Sequence, residues 1–284
     1  AATALLLEQL ITHDTKGILD EYLQDDINRI YLPAKLNPKI VEILPEEVGV
    51  FYFHNEQGEV IYLDKSKNIR EHIFTFFSTK PEEKNRQQLH AEVCDISFEL
   101  TGNELIASLV EIAEIKKTIP KFNRPIANAF YKYGLFSETD AQGFHKLMVK
   151  LLEEENNPLL KFSSEFKAEK MMHSILSNFR LEPTFKKIDT ALQYNKRMQE
   201  VLSKYIYPHN NFFIIDNGRG GTERSAIQIE NGEYKGFGFF EPAYIQQPEE
   251  LKCTIQQPLE IIENKKIIQN YIRKYAKQVE IITY

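Results

Sequence analysis

The chain has 284 residues, of which 42% are hydrophobic and 27% are charged, with a formal net charge of −6 at pH 7. This length suffices for two domains with their own cores, and the composition is ordinary for a globular protein. Because the net charge is negative, the chain as a whole does not attract nucleic acid. Any contact with nucleic acid must therefore use a local basic surface.

Two cysteines, Cys94 and Cys253, lie far apart in the sequence. Their number and spacing indicate reduced thiols, which predicts a cytoplasmic protein. Two thiols cannot ligate an iron–sulfur cluster that needs four cysteines, so no such cluster is expected. No apolar run approaches the length that spans a membrane, and no membrane contact is expected.

The chain begins with the helical pattern AATALLLEQLIT in residues 1–12. This segment resembles the last helix of DnaQ-like 3′–5′ exonucleases, the proofreading type related to the epsilon subunit of DNA polymerase III. The resemblance implies that residues 1–12 are a remnant of an exonuclease domain, none of whose acidic metal ligands lies in this sequence. Residues 13–46 are then a connector that is punctuated by prolines.

An aromatic strand and its return strand give the strongest local signal. Residues 49–53, GVFYF, alternate in a strand pattern, and residues 55–58, NEQG, supply polar turn residues and a glycine. Residues 60–63, VIYL, form the return strand, and residues 65–77 have helical spacing. The sequence therefore predicts a hairpin that leads into a helix.

A third strand and a long helix follow this hairpin. Residues 91–100 have a strand pattern, and residues 103–118 carry an apolar helical face. Within and after that helix stand ELIASLVE at 104–111, IKK at 115–117 and PKFN at 120–123. The predicted fold is α+β, with a small antiparallel three-stranded sheet and flanking helices.

The order of these motifs over residues 47–125 resembles the GIY-YIG nuclease family, in particular its UvrC/Cho-like members. The family pattern is G-[IV]-Y, a turn, Y-[IV]-G-K-[AS]-x-[ND]-[IL] and a helix arginine, followed by E-x-x-A-L-L-L-E, I-K-K and P-x-[FY]-N. The resemblance implies an endonuclease fold in which a glutamate holds a divalent cation and an arginine clamps the phosphate. Bacterial proteins that fuse such a module to a DnaQ-like exonuclease share this order of segments.

Several functional positions of the family are retained. Glu111 stands at the metal-ligand position, which implies Mg²⁺ or Mn²⁺ there. Tyr62 stands at the second motif tyrosine, and Lys65 at the lysine that follows it. Lys67 and Arg70, together with Lys65, form a cluster that either contacts DNA phosphates or is an ordinary solvated face.

Other positions depart from the family pattern. Phe51 stands where the first tyrosine is expected, Asp64 replaces the glycine, and His72 falls at the helix arginine. Phe76 lies where a further tyrosine often stands. Tyr52 cannot supply the missing phenol, because adjacent strand residues point to opposite faces of the sheet.

Each candidate residue also has a plain structural interpretation. Glu111 could pair with Lys65 instead of binding a cation, Tyr62 could be a packed strand residue, and His72 could be solvated. We retain Tyr62, Lys65 and His72 as the candidate catalytic residues of a degenerate site.

Residues 126–284 are expected to form a UvrC-like C-terminal α+β domain without the cysteine cluster. Its expected elements are a strand at 130–135, helices at 141–155, 191–198 and 263–277, and an antiparallel meander at 212–216, 222–230 and 233–240. The glycine-rich segment 218–221 lacks the spacing of a phosphate-binding loop and is interpreted as a hairpin turn.

Three functions remain open. The leading one is a DNA-binding and positioning module for an attached exonuclease in DNA repair or replication. The second is an active endonuclease that depends on a divalent metal. The third is a protein-interaction module that docks another repair or replication protein.

Overall fold

In a computed structural model of the chain, the structure describes residues 31–126, 131–153, 158–185, 189–256 and 263–284. The expected exonuclease remnant, and the connector as far as residue 30, lie outside the described residues. The chain divides into two compact units between Pro125 and Ile126. No helix in the described ranges is long and apolar enough to cross a membrane.

The first unit is built from short helices around one sheet. Its elements are α1 (Lys39–Glu42), β1 (Gly49–His54), β2 (Val60–Ser66), α2 (Ile69–Phe77), α3 (Lys84–Glu92), β3 (Asp95–Leu100) and α4 (Glu104–Thr118). The strands are antiparallel in the order β2-β1-β3. The predicted three-stranded sheet with flanking helices is therefore confirmed.

The central strand β1 is buried on both faces. Phe51 and Phe53 are fully buried in a cluster with the apolar stripe of α2, which consists of Ile69, Ile73 and Phe77. Val50 is fully buried as well, and its alternate position on the strand directs it to the other face, where α4 packs against the sheet. Helices on both faces explain why this strand is a nearly continuous apolar run.

Helix α2 begins later than its sequence pattern predicts. Strand β2 continues through Lys65 to Ser66, where both residues pair with β1. The side chain of Asn68 then accepts a hydrogen bond from the Glu71 amide at 2.9 Å and caps the helix that starts at Ile69. The expected helix start at residue 65 is wrong, because cross-strand pairing and the cap together set the boundary.

Helix α3 is an element that the sequence pattern does not predict, since its residues are mostly polar and only Leu89 is buried. The helix ends at Glu92, so β3 begins at Asp95. The expected strand start at residue 91 is therefore wrong.

The second unit contains two further antiparallel sheets. Its elements are β4 (Tyr133–Thr139), β5 (His145–Leu151), β6 (Leu160–Phe162), α5 (Glu165–Asn178), α6 (Ala191–Tyr205), β7 (Phe212–Asn217), β8 (Arg224–Glu230), β9 (Glu233–Phe240), two 3₁₀ helices (Pro242–Tyr244 and Pro248–Thr254), α7 (Glu263–Lys274) and β10 (Glu280–Thr283). The sheet orders are β5-β4-β6 and β10-β7-β8-β9. The predicted meander is confirmed as β7-β8-β9, and the helices expected at 191–198 and 263–277 are present as α6 and α7.

The helix expected at 141–155 is wrong, because this stretch contains β5, which pairs with β4. A tight turn reverses the chain there. The Asp140 carboxylate accepts hydrogen bonds from the amides of Gln142 and Phe144, and Gly143 takes a φ of 82° that suits glycine. The turn commits the following residues to a hairpin, although their composition alone permits a helix. Residues 130, 154 and 155 of the expected elements lie outside the described residues.

The glycine-rich segment 218–221 connects β7 to β8, and no helix follows it. The Gly218 amide donates a hydrogen bond to the Glu223 carbonyl at 3.0 Å. The segment is the hairpin turn that its sequence indicates.

Gly49 provides a test of the packing of β1 against β3. A Cβ atom at Gly49 would lie 2.2 Å from the backbone oxygen of Glu99, so Gly49→Ala must push the two strands apart. We expect a loss of about 1–3 kcal/mol in the stability of the first unit. Hydrogen exchange read segment by segment should show faster exchange in β1 and β3. Gly220→Ala is the control, since a Cβ atom there meets nothing within 4 Å. Unchanged exchange in the Gly49→Ala strands would contradict the close approach.

Candidate functional site

The end of β2 carries three of the candidate residues. Tyr62 and Asp64 are two positions apart on the strand, so their side chains lie on the same face. The Tyr62 hydroxyl donates a hydrogen bond to Asp64 Oδ2 at 3.1 Å. Lys65 follows on the strand, and its amide donates to Asp64 Oδ1 at 2.9 Å. The carboxylate of Asp64 is therefore held by two local donors.

Lys65 and Glu111 form an ion pair across the site. The Lys65 ammonium contacts Glu111 Oε2, which joins the end of β2 to the middle of α4. The Glu111 side chain is only 15% exposed, whereas that of Lys65 is 43% exposed. The pair thus covers the carboxylate with an ammonium that remains in contact with solvent.

The electrostatics of Glu111 reflect this position. Burial raises the pKa of its carboxyl above the usual range, the hydrogen bond and charge of Lys65 act in the opposite direction, and nearby Asp64 raises the pKa further. Asp64 therefore acts on the pKa of Glu111 in the same direction as burial, and the Lys65 ammonium acts against both.

Phe51 and His72 occupy the two positions where the GIY-YIG pattern has a phenol and a guanidinium. Phe51 is fully buried, and its ring meets the His72 imidazole edge-on with the centroids 5.0 Å apart. His72 Nε2 lies 3.8 Å from Asp64 Oδ2, and both side chains are about one-third exposed. The imidazole therefore faces the carboxylate of Asp64.

Tyr62 does not have the properties of a general base. Burial is the main cause that raises the pKa of its phenol, and the charges of Asp64 and Glu111 add to it. The phenol stays protonated at neutral pH and acts as a hydrogen-bond donor. Tyr52 lies on the other face, where its hydroxyl donates to Glu99 at 3.4 Å, so it does not replace the missing phenol.

Each residue of the expected basic cluster faces a carboxylate. Lys65 pairs with Glu111, Lys67 with Glu104 at 2.7 Å, and Arg70 with Glu46 at 4.0 Å. The side chains of Lys67 and Arg70 remain 68% and 40% exposed. Exposed pairs of this kind contribute about 0–1 kcal/mol each, so they do not prevent a phosphate from competing for the cations.

The oxygen donors suit a hard divalent cation, with one obstacle. The carboxylates of Glu111 and Asp64 are the ligand type that Mg²⁺ and Mn²⁺ prefer. A cation would have to displace the Lys65 ammonium from Glu111. Within the described ranges, no group of three or more His, Cys, Asp or Glu side chains is arranged to hold a metal ion.

Two residues contribute to the site in ways that the motifs do not specify. The Asn123 side chain accepts a hydrogen bond from the Leu63 amide at 3.0 Å and donates one to the Leu63 carbonyl at 2.7 Å. It thereby closes the outer edge of β2 next to Tyr62. Arg86 of α3 lies over the ring of Phe76, with its guanidinium carbon 4.8 Å from the ring centroid. The P-x-[FY]-N motif identifies Asn123, but no sequence pattern singles out Arg86.

Comparison with known proteins identifies similar sequences for one part of the chain. The sequence profile of the UvrC-like GIY-YIG domain matches residues 47–124. The UvrABC system protein C of Methanococcus maripaludis is 31% identical over 96 residues, which is 34% of this chain and 18% of that protein. The protein of the same name from Bacteroides thetaiotaomicron is 34% identical over 84 residues, or 30% of this chain and 14% of that protein.

A solved structure of the N-terminal endonuclease domain of UvrC from Thermotoga maritima, described as bound to its catalytic divalent cation magnesium, is 29% identical. The match covers 30% of this chain and 93% of that one, with a TM-score of 0.28. The chain therefore contains a UvrC-like GIY-YIG domain at residues 47–124. The match spans less than one-fifth of the length of these curated relatives.

The variant Lys65→Met should show how strongly the Lys65 ammonium lowers the pKa of the Glu111 carboxyl. Because Lys65 opposes the effect of burial, its removal should raise the pKa of Glu111 further. A carboxyl group whose pKa is higher in the folded than in the unfolded state stabilises the fold at low pH, and this stabilisation is lost as pH rises through the folded pKa. We therefore expect the variant to lose about 1–3 kcal/mol at pH 7 and less at acidic pH.

Carbon-13 NMR titration of the Glu111 carboxyl and urea unfolding at pH 5 and pH 8 provide the two measurements. Lys117→Met is the control, because Lys117 pairs with Glu114 on the exposed end of α4. An unaltered Glu111 titration in Lys65→Met would show that the ion pair does not form in solution.

Proposed function

We propose that the domain at residues 47–124 binds and positions DNA within a DNA-processing nuclease without cutting the DNA itself. The observation that carries this proposal is the Lys65–Glu111 ion pair, since the acidic group at the metal-ligand position is already neutralised by a lysine. The same site has no phenol at Phe51 and no guanidinium at His72.

Magnitudes favour an inactive site. A positioned proton-transfer group contributes a factor of about 10²–10⁴ in rate, and Phe51 cannot act as one. A preorganised donor at developing charge contributes about 10²–10³, and the guanidinium that would supply it is replaced by His72. Asp64 adds a negative charge where a phosphate has to approach. Together these losses remove most of the acceleration that such a site provides.

The capacity to bind DNA depends on a small number of positively charged side chains. Lys65, Lys67 and Arg70 surround the start of α2, and the carboxylate partners of Lys67 and Arg70 are exposed enough to be exchanged for phosphates. The net charge of −6 gives no long-range attraction to support them. Binding is therefore weak and dependent on salt.

The cutting activity in this proposal belongs to a DnaQ-like 3′–5′ exonuclease attached before residue 13. The helical pattern of residues 1–12 supports it. The complete protein would then act in DNA repair or replication in the cytoplasm, with DNA and other proteins of those processes as its partners.

One observation favours a second function, a metal-dependent endonuclease. The carboxyls of Asp64 and Glu111 lie close together beside the Tyr62 phenol, which is an oxygen-rich arrangement. Mg²⁺ or Mn²⁺ held there would polarise a phosphate oxygen as a Lewis acid. The magnesium described for the UvrC domain of Thermotoga maritima supports this alternative. It requires Lys65 to leave Glu111.

We expect labelled DNA to bind weakly, with an affinity that falls steeply as salt is added. Each phosphate contact contributes about −0.9 to the slope of log affinity against log salt concentration for duplex DNA. Fluorescence anisotropy with duplex, single-stranded and branched DNA at several salt concentrations gives this slope. Lys67→Gln and Arg70→Gln should each make this slope less steep. Lys39→Gln removes an exposed charge outside the site, serves as the control and should leave the slope unchanged.

Tight binding that is insensitive to salt would contradict the expectation. A chain that binds no DNA at low salt would favour the protein-interaction function instead.

We expect no nicking of supercoiled plasmid by the chain with Mg²⁺ or Mn²⁺, and none by Phe51→Tyr alone. Members of a catalytic unit act non-additively, so restoring one of them leaves the barrier nearly unchanged. The combination of Phe51→Tyr, Asp64→Gly and His72→Arg is expected to recover metal-dependent nicking. Adding Glu111→Ala to that combination is the matched control and should abolish it. Robust nicking by the unmodified chain that disappears in Glu111→Ala would establish the second function.

A further inference from the structure

Arg86 is held beside the candidate site by its contacts with Phe76. Its Nη2 donates a hydrogen bond to the Phe76 carbonyl at 2.9 Å, and its guanidinium lies over the Phe76 ring. The Phe76 ring is in turn 5.7 Å from the ring of Tyr62. A guanidinium has five N–H donors in a planar fork, and the carbonyl of Phe76 satisfies one of them.

Within the described ranges, the charge of Arg86 has no anionic partner. Among the residues that the structure describes, no carboxylate lies within 4.0 Å of this guanidinium, in contrast to the pairs made by Lys65, Lys67 and Arg70. The side chain is half-buried rather than free in solvent. A fixed, partly buried cation without a counterion is a favourable position for an external anion.

The position of the Arg86 charge affects the electrostatic potential near Tyr62. Asp64 and Glu111 bring two negative charges when ionised, and Lys65 offsets one of them. The remaining negative charge would repel a phosphate. Arg86 is close enough to Tyr62 that its charge lowers the pKa of that phenol, against the larger effects of burial and the two carboxylates. Arg86 therefore adds a positive charge on the Phe76 side of Tyr62.

We propose that Arg86 binds a DNA phosphate at the Tyr62 edge of the domain. Arg86 would thereby do the work of the helix arginine of the family pattern, at whose position this chain has His72. This inference rests on the proposed DNA-binding function and assigns a specific contact to it. The guanidinium approaches from α3 rather than from α2. The fork can engage two phosphate oxygens with the donors that Phe76 leaves unused.

The test compares substitutions that separate charge from packing. Arg86→Gln retains a donor for the Phe76 carbonyl but removes the charge, whereas Arg86→Lys retains the charge but loses the planar fork. We expect Arg86→Gln to weaken duplex binding about tenfold at low salt and to lower the salt slope by about one phosphate contact. Arg86→Lys should weaken binding less and leave the slope unchanged. Lys39→Gln controls for the loss of one positive charge, and thermal melting checks the fold of every variant.

The outcomes distinguish this inference from the function on which it rests. If the unmodified chain binds DNA and Arg86→Gln has the same affinity and slope, the role of Arg86 is overturned and the DNA-binding function stands. If Arg86→Gln binds more weakly but keeps the original slope, Arg86 is structural and the inference is overturned. If the unmodified chain binds no DNA at low salt, both are overturned.

Discussion

The antiparallel register between β1 and β2 places Phe51 opposite Asp64 and Phe53 opposite Tyr62. Side chains alternate between the faces of a strand, so a shift of one residue would move Tyr62 and Asp64 away from the site. Burial of both phenylalanines beneath α2 fixes this register from one side. Asn123 fixes it from the other, because its amide pairs with both backbone groups of Leu63 at the edge of β2. The site therefore depends on core packing and an edge contact rather than on the site residues themselves.

One buried carboxylate then determines the chemistry that is available. Glu111 is costly to leave charged and unpaired, because little of it reaches solvent. Either an ammonium or a hydrated cation can neutralise it, but the two compete for the same oxygens. Lys65 reaches it because β2 extends to Ser66, which puts the lysine on a rigid strand opposite Val50. The fold thus places the ammonium on Glu111, and a metal ion would have to compete with it.

The changed residues are compatible with one another. Phe51 carries no hydroxyl that would need a partner, and it packs among the rings of Phe53, Tyr62 and His72. His72 contacts both this ring and Asp64, so the imidazole bridges an apolar and an acidic neighbour. The resulting aromatic cluster is part of the core, because Phe51 and Phe53 are fully buried.

The sequence by itself determined the elements that depend on local chemistry. The hairpin of β1 and β2, the meander of β7 to β9 and the helix that carries Glu111 follow from alternation, turn residues and helical spacing over short stretches. The order of the motifs also named Tyr62, Lys65, His72 and Glu111, which the fold brings to one edge of the sheet.

Tertiary structure decided what these residues contact. The partner of Lys65 lies 46 positions away in the sequence, and a choice between an ion pair and a metal ligand depends on distances that no local pattern contains. Residues 145–151 became a strand because a turn and a neighbouring strand outweighed their helical composition. Arg86 stands in a polar helix without a motif, and only the packing of α3 against the end of α2 places its charge near Tyr62. Local periodicity is encoded within a few residues, whereas charge pairing and burial arise only when distant segments meet.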